Sequence, residues 1–334
     1  ARVHCGYIYT SSGVGESTTD VVFSGSTYIA ENGDILTMGE RFQRNNSMII
    51  QEIDIERLRT DRQRNTNFTK DKNGHYRHIN VAPIEREEEI TEPIHRTFSP
   101  TPFLPKKGKE EQYCLDVFSI QTNALARRWE HTHSETVVIG ISGGLDSTLA
   151  LLVSVQTADL LGYDRSRVVG VTMPGFGTSD RTYQNALQLM KELGITHREI
   201  SICNVATQHL NDIAHNMDVH DATYENAQAR VRTLILMDLA NELNGLVVGT
   251  GDLSELALGW CTYNGDQMSM YSVNAGIPKT LVKYLVKFAA ENLYGEPLRS
   301  ILLDVVETPV SPELLPTDEH GEIAQKTEDK VGPY

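Results

Sequence analysis

The sequence predicts an α/β protein, a doubly wound parallel sheet preceded by a smaller β-rich segment. Three observations carry that reading. From about residue 109 onward, continuous apolar runs alternate with helix-length segments, the pattern of strands covered on both faces. The first 60 residues instead alternate and turn at short intervals, with Asn32-Gly33 set between apolar runs. That pair is a strong hairpin signal, because both turn residues must accept positive φ. Between the two regions, 65–108 is polar and charged and carries Pro83, Pro93, Pro100, Pro102 and Pro105, which fix φ and suit an extended connection. The expected organisation is therefore 1–64, a linker 65–108 that Phe98, Phe103 and Leu104 could pin to a surface, and a main domain 109–334.

Each element follows from local pattern. In the first segment, strands are expected around Asp20–Phe23 and Thr27–Ile29, with turns at Gly25 and at Glu31–Asp34. A further alternating stretch, Met48–Ile55, then runs into a short charged helix, Glu56–Arg64. In the main domain, a helix containing Leu115, Phe118, Ile120 and Leu125 precedes the apolar strand Thr136–Ile141. Then come a helix Thr148–Leu161, a strand Val168–Thr172, a helix Thr182–Leu193, a strand His197–Ile202, a helix Tyr224–Leu243 and a strand Leu246–Thr250. Ligands of such sheets sit beyond the carboxyl ends of the strands.

Composition excludes several classes. The 334 residues leave room for roughly two domains, and 40% hydrophobic residues suit globular cores. A formal net charge of −15 argues against non-specific nucleic-acid or membrane binding, since both partners are polyanions. No run reaches the ~18 apolar residues that span a bilayer, and no signal or transit peptide is recognisable. Cys5, Cys114, Cys203 and Cys261 show neither zinc spacing nor a disulfide framework, so a reduced, cytoplasmic setting is expected. The chain starts at Ala1, close to the apolar Tyr7–Tyr9, and stops at Gly332–Tyr334 after a charged loop. Both ends read as cuts in a longer protein.

The strongest single feature is Gly140, Ile141, Ser142, Gly143, Gly144, Leu145, Asp146 and Ser147. It follows a buried strand and opens a helix, where free N–H groups and the helix dipole bind an anion. Gly143 and Gly144 admit a phosphate close to the backbone, Ser142 and Ser147 add hydroxyls, and Asp146 offers a carboxylate to a hard cation such as Mg²⁺. The loop has no lysine and is neither Gly-x-x-x-x-Gly-Lys nor Gly-x-Gly-x-x-Gly. The plainer alternative is a glycine-rich turn with Asp146 as a helix-start acid. A second cluster, Gly249–Tyr263, sets Thr250 at a strand end and Glu255 among glycines and aromatics, a composition suited to a ligand wall. Taken alone, Trp260 and Tyr263 could simply be core.

The loop resembles the signature of the N-type ATP pyrophosphatases, which cleave ATP between the α and β phosphates and adenylate a substrate oxygen. Synthetases for GMP, asparagine, arginine precursors, NAD and thiolated tRNA share it. The substrate is narrowed by Gly249–Tyr263, Met173–Gly177, Tyr224–Arg230, Val273–Thr280 and Ser311–Pro316, which in this order closely resemble the glutamine-dependent NAD synthetases. The resemblance implies an adenine nucleotide alpha hydrolase-like sheet over 109–334, with a further C-terminal element beyond Tyr334. It implies ATP binding by Gly140–Ser147, Thr250, Lys279 and Ser311, and Mg²⁺ or the reacting carboxylate region held by Asp146 and Glu255, the two catalytic candidates. It implies a deamido-NAD site formed by Asn226, Arg230, Glu255, Trp260, Cys261, Thr262 and Tyr263. The smaller ammonia-dependent relatives carry a lysine where this chain has Tyr263 and an acid where it has Met270, so their dinucleotide contacts do not transfer wholesale. Lys279, Lys283 and Lys287 lie at four-residue spacing, a solvated helix face with only Lys279 a functional candidate.

Residues Gly13–Asp20 and Phe23–Gly25 resemble the last part of the family's nitrilase-like α/β/β/α glutaminase domain. Its Glu–Lys–Cys set lies upstream of the matched segment. Cys5 sits in an apolar strand and not in the family's Cys-Glu-Asp turn, so it is expected to be a buried structural thiol. The resemblance implies conversion of deamido-NAD to NAD, with AMP and pyrophosphate released. Ammonia would come from glutamine in the full-length parent, and the protein would self-associate as a homo-oligomer. The alternatives are another N-type amidotransferase and a truncated nucleotide-binding chain without turnover. Thiolation ranks low, because no suitably spaced cysteine pair is present.

Overall fold

The computed structural model describes residues 3–16, 23–65, 99–177 and 180–308. The chain divides into two compact units, Ala1–Pro100 and Thr101–Tyr334. Residues 20–22 of the expected strand Asp20–Phe23 and most of the expected linker, including Phe98, Pro83 and Pro93, fall outside the described residues, as does Ser311. Phe23 itself is exposed and outside any strand. Among the described residues no helix is long and apolar enough to cross a membrane.

In the first unit, β1 (Gly6–Thr10), β2 (Thr27–Glu31) and β3 (Asp34–Met38) form an antiparallel sheet in sequence order. The β2–β3 turn has Asn32 and Gly33 both at positive φ, 50° and 97°, as the hairpin signal requires. Helix α1 (Ile55–Arg64) starts at Asp54, whose side chain accepts from Arg57 N at 2.9 Å. Glu31 is buried and ties the helix entry to the sheet by accepting from Asp54 N at 2.7 Å. Met48–Ile55 forms no strand: Met48 and Ile50 are exposed, Ile49 and Ile53 are half-buried, and Ile53 lies against Gly6. Its alternation pins a connecting segment without a ladder. Cys5 is half-buried and not the enclosed thiol expected from its apolar neighbours, because β1 is an edge strand.

The second unit is built on five parallel strands. These are β4 (Thr136–Gly140), β5 (Val168–Thr172), β6 (Thr196–Glu199), β7 (Gly245–Gly249) and β8 (Tyr271–Ser272), in the order β6-β5-β4-β7-β8. Alternate strand residues feed two cores. Val137, Ile139, Val168, Leu246 and Val248 join α2 (Glu110–Thr132), α3 (Leu145–Leu161), α4 (Asp180–Glu192), α8 (Lys279–Asn292) and α9 (Leu298–Glu307). Val138, Val169, Val171 and Val247 join α5 (Cys203–Asp212) and α6 (Ala222–Glu242). Both faces are covered, which is why these strands read as unbroken apolar runs. Helix α3 is buried nearly all round and begins three residues earlier than its apolar pattern suggests. On α2, Phe118 and Leu125 are buried, whereas Leu115 and Ile120 lie on its exposed side. Strand β6 stops at Glu199, short of Ile202, since it is an edge strand paired only with β5.

The chain runs from β4 outward to β6, then returns to β7 on the other side of β4. The carboxyl ends of β4 and β7 therefore flank the point where the strand order reverses, the place where open α/β sheets bind ligands.

Candidate functional site

The loop after β4 presents backbone. Gly143 has φ +84°, and a Cβ there would be driven into the carbonyl oxygen of Thr182 in α4, so only glycine fits. Gly144 caps α3 in extended conformation without a side-chain cap bond, which leaves first-turn N–H groups facing outward. Ser142 Oγ accepts from Gly144 N at 3.2 Å and lies 3.2 Å from Ser147 Oγ, which itself donates to Gly144 O. The two hydroxyls brace the loop that would meet a phosphate. Ile141 N donates to Val171 O at 2.8 Å and so anchors the loop to β5. Gly140 is tight for another reason, since a Cβ would press on Leu236.

The turn after β7 presents charge. Helix α7 (Leu253–Leu258) is one short segment closed by a capping box: Asp252 Oδ1 accepts from Glu255 N at 2.8 Å, and Glu255 Oε2 accepts from Asp252 N at 3.1 Å. That reciprocal pairing turns both carboxylates toward the start of α3. Oxygens of Asp146, Asp252 and Glu255 all lie within 4.8 Å of one another. Lys279, the first residue of α8, enters the cluster. Its ammonium pairs with Asp146, lies 3.2 Å from Asp252 Oδ2 and 3.8 Å from Glu255 Oε1. Asp252 is fully buried and Lys279 is 5% exposed, while Lys283 and Lys287 face solvent. The solvated face expected of the three lysines therefore holds only Lys283 and Lys287.

Three carboxylates around one ammonium leave an excess of negative charge in a poorly hydrated place. Burial, and then the Asp146 carboxylate, push the Glu255 carboxyl up to about 7. Burial likewise lifts Asp146 above the usual carboxylate range, against the pull of Lys279. Burial works to lower the Lys279 ammonium, but Asp146, Asp252 and Glu255 outweigh it and hold it above its ordinary value. Asp146 Oδ1 is buried with no hydrogen-bond partner. An all-oxygen donor set with surplus charge and an unsatisfied carboxylate oxygen fits a hard divalent cation such as Mg²⁺.

The remaining site candidates fall beside this centre. Thr250 is half-buried directly after β7. Asn226 and Arg230 lie one turn apart on α6, half-buried and exposed respectively, and the Arg230 guanidinium donates to Tyr263 O at 3.2 and 3.3 Å. Arg230 therefore holds the 260–263 loop. Thr262 is half-buried, Cys261 is exposed, and Trp260 and Tyr263 are 42% and 78% exposed. The reading of the two rings as core is overturned. Sequence reasoning missed two residues, Asp252 and the fully buried Asn274. The Asp-x-x-Glu spacing of a capping box was the available signal for Asp252; Asn274 had none.

An all-parallel, doubly wound sheet with a glycine loop and an acid cluster at its switch point defines a nucleotide-binding α/β domain. Residues 117–303 match the family model described as NAD synthase. The chain belongs to that family. It is 42% identical to the glutamine-dependent NAD(+) synthetase of Mycobacterium leprae over 346 aligned positions, covering 100% of this chain and 50% of that protein. It is 31% identical to the NH(3)-dependent NAD(+) synthetase of Pyrobaculum aerophilum over 196 positions, 59% of this chain and 67% of that protein. The fold is similar to that of a glutamine-dependent NAD+ synthetase from Acinetobacter baumannii, solved in complex with adenosine diphosphate. The TM-score is 0.54 and identity 24%, over 92% of this chain and 49% of that one. The chain spans about half the length of the curated mycobacterial glutamine-dependent relatives it matches.

Proposed function

We propose that this chain carries out ATP-dependent amidation of deamido-NAD to NAD, with ammonia drawn from glutamine in a longer parent. The observation that carries the reading is the meeting of the β4 glycine loop and the β7 acid turn inside the region matched by the NAD synthase family. In this reading the nicotinate carboxylate attacks the α-phosphorus of ATP, the bond to the β-phosphate breaks, and pyrophosphate leaves toward the outward N–H groups of α3. That cradle stabilises charge growing on the leaving group and is organised before the reaction begins. Ammonia then attacks the acyl-adenylate carbonyl and AMP departs.

Asp146 and Glu255, joined by Asp252, would hold the cation. Bound there, it would neutralise phosphate charge and polarise the oxygens around the reacting phosphorus. Lys279 offsets the clustered carboxylates and keeps them together. Ser142 and Ser147 fix the loop. Trp260 and Tyr263, exposed on a loop held by Arg230, offer rings to the nicotinate, with Asn226, Cys261 and Thr262 as neighbouring wall. Lys279 and Ser311 remain the candidates for phosphate contact, beside Thr250.

Residues 1–64 fit the same proposal as the end of a nitrilase-like domain. Tyr7, Tyr9, Ile35 and Met38 leave apolar surface exposed on the three-stranded sheet, and none of the four cysteines precedes Glu-Asp. The test is NAD formation by the 334-residue chain from deamido-NAD and Mg-ATP, with ammonium chloride and glutamine in parallel. NAD and AMP with ammonium but not glutamine are expected. Nucleotide binding without NAD from either nitrogen source, repeated with the longer parent, would overturn the substrate assignment.

A further inference from the structure

The two halves of the acid cluster come from loops that the sheet itself does not hold together. The β4–β7 ladder runs from Thr136–Gly245 to Val138–Val247, and Asp146 and Asp252 lie well beyond it. Besides the Lys279 ammonium, which touches acids on both sides, an uncharged side chain spans the gap. Asn274, between β8 and α8, is fully buried. Its amide nitrogen donates to Asp146 O at 3.0 Å and to Thr250 O at 3.1 Å. Both protons of one amide are thus used on carbonyls from the two opposing loops.

The orientation of that amide is dictated by its surroundings. Gln121, on α2 and also buried, donates to Asn274 Oδ1 at 3.1 Å and to Val273 O at 2.9 Å. Turning either amide over would set oxygen against oxygen, so the chain of donors has one direction, from Gln121 through Asn274 to the two carbonyls. Ser272 Oγ adds a bond to Gly251 O at 3.1 Å. With the Thr250 and Gly251 carbonyls held on the β8 side, the trans peptides aim their N–H groups the opposite way. One of these, Asp252 N, is the donor to Glu255 in the capping box.

We infer that Asn274, oriented by Gln121, is a positioning residue that sets the spacing between Asp146 on one side and Asp252 and Glu255 on the other, and thereby the affinity for the divalent cation. The inference rests on the ATP- and Mg²⁺-binding reading above. Partners that orient ligating groups commonly control metal affinity about tenfold or more.

The test is calorimetric binding of α,β-methylene-ATP to the 334-residue chain, in EDTA and in Mg²⁺, for wild type, Asn274→Ser and Gln121→Leu. Serine keeps one donor and removes the bridge. Leucine removes only the orienting partner. The expected result is an unchanged affinity in EDTA and a loss of about tenfold in the Mg²⁺-dependent gain for Asn274→Ser. Gln121→Leu should show a smaller loss, and raising Mg²⁺ should recover binding in both. A folded Asn274→Ser that keeps the full Mg²⁺ gain overturns the inference. So does equal weakening with and without Mg²⁺, the mark of general loosening. Should Asn274→Ser not fold, Gln121→Leu decides by the same two readouts. Wild type that binds the nucleotide in neither condition would instead overturn the functional reading on which the inference stands.

Discussion

The loops after β4 and β7 end neighbouring strands at one switch point, yet they are built on opposite principles. The β4 loop works through bare backbone: glycines, two bracing hydroxyls and an open helix start. The β7 turn works through side chains: a capping box that aims one buried and one half-buried carboxylate, answered by Lys279. The first suits an anion and the second a cation, and a metal–nucleotide complex presents both. The β4 loop should therefore fail through shape, and the β7 turn through charge.

Breaking the shape side should have the largest effect. Gly143→Ala adds a Cβ at φ +84° directly against Thr182 O. Strain of this kind costs about 1–3 kcal/mol. The expected outcome is loss of nucleotide binding by calorimetry, together with a lowered melting temperature. Full binding by this variant would mean that the loop is an ordinary turn.

The charge side should separate binding from stability. Asp252→Asn keeps an N-cap acceptor, for which Asn and Asp are about equal, but removes one of the three carboxylates. Stability should change by less than about 1 kcal/mol, whereas the Mg²⁺ concentration for half-maximal NAD formation should rise about 10- to 100-fold. A large stability loss with unaltered Mg²⁺ dependence would make the acid turn structural.

Beyond both loops, the aromatic wall should show a smaller and purely kinetic effect. Trp260 is 42% exposed, so Trp260→Ala should leave stability within about 0.5 kcal/mol. If the ring stacks on nicotinate, a contact of about 1 kcal/mol raises KM for deamido-NAD about fivefold. An unchanged KM would remove Trp260 from the site.

The smallest effect concerns the support of the β4 loop. Helix α4, whose Thr182 carbonyl faces Gly143, is tied to α9 where Arg181 Nε donates to Asp304 at 3.0 Å and Asn185 donates at 2.7 Å. Those partners, the Arg181 guanidinium first, hold the Asp304 carboxyl below its usual range. A depressed folded pKa means that the stabilisation is complete above the unfolded value near 3.9 and is lost as pH falls through the lower folded one. Asp304→Asn should therefore be less stable than wild type at neutral pH, with the gap closing below about pH 4. Melting curves across that range check it, and a gap that persists in acid would show that charge is not what ties α4 to α9.

What could be read from the chain alone follows the same division. Strand Val168–Thr172 and the Asn32-Gly33 turn carry their conformations in local chemistry, and so does the glycine loop. The first is a β-branched apolar run, the second a pair tolerant of positive φ, the third glycine where a backbone must be bare. Glu255 was legible through its glycine and aromatic neighbours and through the family resemblance of the stretch around it. Asp252 carries no local mark beyond the Asp-x-x-Glu spacing of an N-cap. Short helix α7 is too brief to show periodicity, and the solvent-facing rings of Trp260 and Tyr263, taken alone, suit a core.

By itself, then, the sequence determined the doubly wound class, the glycine loop after β4 and the acidic turn after β7, because each depends on residues close together in the chain. Only the tertiary structure decided which acids share a site, which lysine of three is buried among them, and that Asn274 bridges the loops. Those outcomes depend on the strand order β6-β5-β4-β7-β8, which brings residues more than a hundred positions apart to one switch point. No local pattern encodes the distance between them.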